Sequence, residues 1–411
     1  MKNLKLIGPF TQILPMTGLS VKGALQDGQL TVIDNGGILV SEGKIIKVGS
    51  FEDLISDTVT IERIEGEQVC LPGFVDAHTH ICFGGNRAND YAMRNGGRSY
   101  LEIAKAGGGI WDTVTHTRKA SQDKLVNGIV QRCQKHLGNG VTTLEVKSGY
   151  GLSVTQELKM LRAIKKGNDT VVQDLIPTCL AAHMKPKDWA GTPTAYLEHI
   201  ANDLFPILHK ENLTQRIDAF IEESAFSKEG IRPYFENAKQ NGFDITVHAD
   251  QFTTGGSQLA IEFNALSADH LEASTSKEIM ALAKSNVVAV ALPGASLGLG
   301  CNFAPARQLL DAGAALAIAS DHNPGSAPMG DLLTQACVLG SFEKLTNIEV
   351  LAGITFRAAK ALNLGDRGNL EGGKLADFIC FPTGNYQEIT YHQGQLKPGK
   401  VWKNGVKVGD G

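Results

Sequence analysis

Nowhere in the 411 residues does an uncharged apolar run reach the length of a bilayer-spanning helix. The opening residues, Met1-Lys2-Asn3-Leu4-Lys5-Leu6-Ile7-Gly8-Pro9, also lack the long apolar centre of a secretory signal, so a cytoplasmic protein is expected. Cysteine is sparse. The seven thiols are odd in number, widely spread and never paired as Cys-x-x-Cys, which argues against both a disulfide framework and a thiolate zinc site. Charge of one sign is lacking as well: a net charge of -4 offers no field for nucleic acid or an acidic membrane. Internal repeats, low-complexity tracts and long charge runs are absent from the sequence. With 42% apolar and 20% charged residues, what is left is a globular chain with a sizeable core, whose partner is a small molecule held in a site.

Two β-rich ends bracket a different middle. Near the start, Gly37-Ile38-Leu39-Val40 and Ile45-Ile46-Lys47-Val48-Gly49 flank a polar turn; near the end, Val401-Trp402-Lys403 and Val406-Lys407-Val408 flank Asn404-Gly405, a strong hairpin signal. Neither piece buries a face alone, so they are expected to pack as one discontinuous β-sandwich, residues 1–66 plus 362–411. Between them, strand and helix patterns alternate over 67–361, the signature of parallel strands joined by crossover helices. Apolar strand candidates run from Val69 to Ala77, Val141 to Val146, Val172 to Ala181, Ile217 to Ile221, Ile245 to Val247, Leu266 to Asp269, Val287 to Leu292 and Ala315 to Ala319. Eight is the number of a closed (β/α)8 TIM-like barrel, an α/β fold. Helices are expected at Thr155 to Lys166 and Ser276 to Lys284.

Chemistry in such barrels lies at the C-terminal ends of the strands. There the chain places His78 and His80, spaced to project the same way, then Lys147, His183, Glu222-Glu223, His248, His270 and Asp321. Histidine and carboxylate side chains converging on one mouth suit a metal, with His78, His80, His248 and Asp321 the candidate ligands. His116, His136, His199, His209, His392 and His322 are read as capped or solvated loop residues. Lys147 is read as an ion-pair partner of Glu145 or another carboxylate. The Gly107-Gly108-Gly109 stretch is a plain loop, since it does not link a strand to a helix as a phosphate cradle would.

Three stretches carry a family resemblance: His78-Thr79-His80-Ile81-Cys82-Phe83-Gly84-Gly85-Asn86-Arg87, Glu145-Val146-Lys147-Ser148-Gly149-Tyr150-Gly151, and Ser320-Asp321-His322-Asn323-Pro324-Gly325-Ser326. With the strand-five His248 and strand-six His270, they resemble the amidohydrolase superfamily of metal-dependent hydrolases across essentially the whole chain. Within it they are similar to the branch acting in histidine degradation. The resemblance implies hydrolysis of the cyclic amide C-N bond of 4-imidazolone-5-propanoate to N-formimino-L-glutamate by a metal-activated water. It also implies one divalent ion, zinc or iron, held by His78, His80, His248 and Asp321. Binuclear relatives need a carboxylated lysine on strand four, where this chain has Glu222-Glu223. Asp321 would carry the proton from water to the leaving nitrogen, and His270 would orient water or stabilise the oxyanion. Arg87 would grip the substrate's carboxylate tail bidentately. Tyr150, His183, Gln251, Asn323, Gly325 and Ser326 would contact ring or tail. The expected assembly is a homodimer.

The alternative is a mononuclear-metal deaminase of a nucleobase or related heterocycle. Such relatives carry His-x-x-Glu on strand five, whereas this chain has His248-Ala249-Asp250-Gln251, and an amide cannot shuttle protons as a carboxylic acid does. A non-catalytic scaffold of the superfamily is the other alternative, disfavoured because all four candidate ligands are present.

Overall fold

The computed structural model describes residues 4–98, 100–223 and 225–410. Two sheets organise them. Five strands come first: β1 (Leu4–Ile13), β2 (Ile33–Ser41), β3 (Lys44–Ser50), β4 (Val59–Arg63) and β5 (Val69–Pro72). Eight follow, β6 (Phe74–Asp76), β7 (Val141–Lys147), β8 (Asp174–Ala182), β9 (Arg216–Phe220), β10 (Asp244–Ala249), β11 (Ser267–His270), β12 (Val288–Ala291) and β13 (Leu316–Ile318). The last three are β14 (Phe378–Phe381), β15 (Lys400–Lys403) and β16 (Val406–Asp410).

One mixed sheet unites the two ends of the chain in the order β16-β15-β14-β5-β1-β2-β3, with β4 beside β1. Its hairpins close where the sequence predicts: Glu42-Gly43 and Asn404-Gly405 have φ of 51° and 77°, and 51° and 73°, the left-handed pairs that suit the twist of two-residue turns. Phe10, Phe378 and Trp402 fill its core, the last two stacked with ring centres 4.8 Å apart. The strand that joins the ends is β5, parallel to β1 on one side and antiparallel to β14 on the other.

This corrects the reading of Val69 to Ala77 as a single barrel strand. The chain changes sheet at Gly73, where a Cβ would sit 2.4 Å from Thr142 Oγ1 and so obstruct the close approach of β6 to β7. The remaining strands, β6 to β13, pair in sequence order, all parallel, each within a few residues of its expected span. The helices Val154–Asn168 and Ser276–Lys284 lie between them, the second started by a Thr275/Glu278 capping box.

The seam between β6 and β13 is closed by the loops that follow them. Asp321 N donates to His78 O at 3.0 Å, His80 N donates to His322 O at 2.9 Å, and Thr79 bridges His322. The barrel is therefore shut by the segments carrying the candidate ligands. Among the described residues, no helix is long and apolar enough to cross a membrane.

Candidate active site

Thr79 turns away from the barrel axis, its hydroxyl donating to Glu145 O at 2.6 Å, which leaves His78 and His80 on the inner side with Nε2 atoms 3.2 Å apart. His248, from β10, brings its Nε2 to 3.3 Å from that of His80. Asp321 Oδ1 stands 3.5 Å from His78 Nε2 and 3.4 Å from His80 Nε2. All four residues are buried.

The other faces of these rings decide what the cluster suits. His78 Nδ1 lies 2.6 Å from Asp269 Oδ2 and His248 Nδ1 lies 2.9 Å from Asp218 Oδ2. A nitrogen facing a carboxylate carries the proton, so the Nε2 of each ring presents a lone pair. Two such nitrogens and a carboxylate oxygen converging on one point repel unless a cation lies among them. Burial, together with the nearby Lys147 cation, keeps His78 from protonating, and burial holds His80 and His248 down to about 3, so all three rings are neutral at neutral pH, the form a metal ion requires. The three imidazoles, with the Asp321 carboxylate beside them, fit a divalent metal ion.

The strand-eight loop holds Asp321 in turn. Asn323 Nδ2 donates to Asp321 Oδ2 at 2.9 Å and to Asp321 O at 2.7 Å, while Asn323 Oδ1 accepts from the Gly325 and Ser326 amides, both at 2.8 Å. Ser326 Oγ accepts from the same Asn323 Nδ2 at 2.9 Å. Asn323 and Ser326, expected at the substrate, are thus also bound to the carboxylate they flank.

His270 sits with its ring centre 5.4 Å from that of His248, its Nδ1 3.4 Å from Glu272 Oε1. Burial works against its protonation, but Glu272, Asp321 and Asp269 outweigh burial and raise its pKa. His183 stacks on His80 with ring centres 5.7 Å apart; its Nδ1 donates to Gly149 O at 2.9 Å, and burial lowers it to about 4. Its Nε2 is then an acceptor. Tyr150 stands beside both rings, on a loop whose Gly149, Gly151 and Leu152 amides all donate to the Glu157 carboxylate.

Arg87 is not a surface residue. Its Nε donates to Asp90 Oδ2 at 2.7 Å, and the same oxygen accepts from Gly109 N at 2.8 Å, tying the glycine loop to the site. The guanidinium borders a cavity of about 340 Å³ that it shares with Phe83, Asn86, Tyr91, Asn323 and Pro324. Gln251 is partly buried just beyond the end of β10.

The reading of six histidines as capped or solvated loop residues needs correction: His116, His199 and His209 lie on helices, though accessible, and His136 and His322 are not solvated, both being buried with His136 Nε2 2.9 Å from His322 Nδ1. The helix Gln122–Gly138 turns His136 inward along with Ile129 and Cys133, which loop-based reasoning could not anticipate. Asp218 and Asp269 were missed. Their signal was a carboxylate within or at the end of an expected barrel strand, where burial is costly unless the group is paired.

A fold of this kind with clustered imidazole and carboxylate side chains at the strand ends defines a class. The chain belongs to the amidohydrolase family, whose model matches residues 69–408. Its curated relatives include imidazolonepropionase of Acinetobacter baumannii, 41% identical over 93% of this chain and 96% of that protein. Imidazolonepropionase of Erwinia tasmaniensis is 42% identical over 92% of this chain and 94% of its own. A solved triazine hydrolase variant superposes over 99% of this chain and 95% of its own with a TM-score of 0.74 at 16% identity, a likeness of fold. The family and the three clustered histidines support a divalent metal.

Proposed function

We propose that the chain hydrolyses the ring amide of 4-imidazolone-5-propanoate, giving N-formimino-L-glutamate in histidine degradation. The observation that carries this reading is near-full-length likeness to imidazolonepropionases, at 41% and 42% identity. The cofactor is one divalent ion, zinc or iron, held by His78, His80, His248 and Asp321. When bound, such an ion polarises the scissile carbonyl and acidifies water.

The Asp321 carboxylate accepts the proton of the attacking water and returns it to the leaving ring nitrogen, held in register by Asn323. His270, whose pKa is raised, donates to the oxygen that gains charge or orients the water. Arg87, fixed at Nε by Asp90, turns its guanidinium to the propanoate tail. Tyr150, His183, Gln251, Gly325 and Ser326 complete the contacts to ring and tail, with Asn323 serving both substrate and Asp321. Homodimeric assembly and cytoplasmic residence belong to the same reading, and light scattering and cell fractionation test them.

Deamination is the weaker reading. The carboxylates that would replace the glutamate absent at Gln251 are both committed: Asp250 accepts from Gly255 N, Ser257 and Ser274, and Glu222 from Phe252 N and Thr253. The test is to follow the ultraviolet absorbance of freshly generated imidazolone propionate with purified protein, with and without chelator. Chelator-sensitive loss of absorbance is expected; an inert substrate together with ammonia release from nucleobases would overturn the proposal.

A further inference from the structure

Lysine is rarely fully buried unless it is paired. Lys147, the last residue of β7, has no solvent exposure, and its Nζ lies 2.7 Å from Glu145 Oε1, 2.8 Å from Asp218 Oδ2 and 3.7 Å from Asp269 Oδ2. Those two aspartate oxygens are the same atoms that face His248 Nδ1 at 2.9 Å and His78 Nδ1 at 2.6 Å. One ammonium therefore bears on the partners of two imidazoles that stand on different strands, β10 and the β6 loop.

We propose that Lys147 is a positioning residue for the ion site, fixing the direction of His78 and His248 through Asp269 and Asp218 without touching substrate. The inference rests on the metal reading above. Two opposed effects make it testable. A cation this close repels a bound ion, so deleting its charge alone would tighten ion binding. Loss of anchoring acts the other way, because carboxylates behind ligating histidines set ring orientation and basicity. A purely structural lysine, serving only to offset buried carboxylates, would lower folding stability on removal and leave the folded protein's affinity equal or tighter.

The experiment uses Lys147→Met, which keeps the length and drops the charge. Zinc affinity is measured by chelator competition and the cobalt-substituted visible spectrum is recorded, with unfolding curves run in parallel. Positioning predicts a zinc Kd raised about 10- to 100-fold, with a changed cobalt spectrum. A Kd within twofold of wild type or tighter, with an unchanged spectrum, would overturn it. Should Lys147→Met not fold, Glu145→Gln loosens the same ammonium one contact further from the imidazoles; a smaller rise in Kd is expected, and none would overturn the proposal. Wild-type protein that takes up no ion would overturn the metal reading along with it, whereas a wild type that binds and variants that bind equally well would overturn this inference alone.

Discussion

Asp269 Oδ2 stands 2.6 Å from His78 Nδ1, and an ionised carboxylate there favours the tautomer whose Nε2 faces the cluster as an acceptor. Removing the carboxylate frees the ring to rotate and to change tautomer. Asp269→Ala and Asp218→Ala are each expected to weaken metal binding about 10- to 100-fold, read by chelator competition on folded protein. Affinities equal to wild type in both would show that the backbone alone orients His78 and His248.

Asp321 and His270 are expected to matter to the barrier more than to binding. Asp321→Asn and His270→Ala should lower kcat by about 10²- to 10⁴-fold, with smaller changes in KM. Asn323→Ala, which removes the amide from Asp321 Oδ2, should lower kcat less than Asp321→Asn does. Near wild-type turnover in the first two variants would strip both residues of their roles.

Much of this was legible before the structure, and the exceptions have physical causes. Seven of the eight barrel strands show as short, mainly apolar runs at their observed places, because strands covered on both faces bury most of their side chains; the buried Glu145, Lys147, Asp218 and Asp269 depart from that pattern because they pair. The change of sheet at Gly73 is marked in the sequence by Pro72-Gly73, but the segments on either side are both strand-like, so Val69 to Ala77 reads as one strand; the close approach of Thr142 shows where it breaks. The candidate ligands His78, His80, His248 and Asp321 could be picked out from strand ends, and the structure brings them together. The carboxylates behind them could not be assigned, since the pairing of Asp218 with His248 and Asp269 with His78 depends on the stagger between strands. His136 and His322 were misread for a similar reason, because their burial follows from how one helix face meets the β13 loop.

Arg87 supplies a prediction on affinity. Charge-assisted hydrogen bonds contribute about 1.5–3 kcal/mol, so Arg87→Ala should raise KM for the propanoate substrate roughly 10- to 100-fold. Arg87→Lys should recover part of this, since a point charge lacks the planar fork. Asp90→Asn should act in the same direction and more weakly, through the lost anchor at Nε. An unchanged KM in Arg87→Ala would place the tail elsewhere.

His183 makes a prediction about pH. Its folded pKa is held near 4 by burial, below the ordinary histidine value near 6.5, so between those values the unfolded chain binds a proton that the folded chain does not. Stability contributed by the neutral ring is present above pH 6.5 and is lost as pH falls toward 4, with a limiting slope of about 1.4 kcal/mol per pH unit. In His183→Gln, urea midpoints at pH 7.5 and pH 5 should lie closer together than in wild type. An undiminished gap would mean that His183 is protonated in the folded protein.

Gly325 tests whether Arg87 and the strand-eight loop act as one unit. A Cβ at Gly325 would stand 2.1 Å from Arg87 Nη1 and 2.7 Å from its Cζ, so Gly325→Ala must push the guanidinium aside. The glycine is not in the left-handed region, so the obstruction is purely steric. KM should rise while kcat changes little, because the displaced group is the guanidinium and the ion's ligands stay put. In an Arg87→Ala background the same substitution meets no guanidinium, and a second penalty should be largely absent. Two contacting residues that share one task give such non-additivity. Additive penalties would instead show that Gly325 holds the substrate through its own backbone, independently of Arg87.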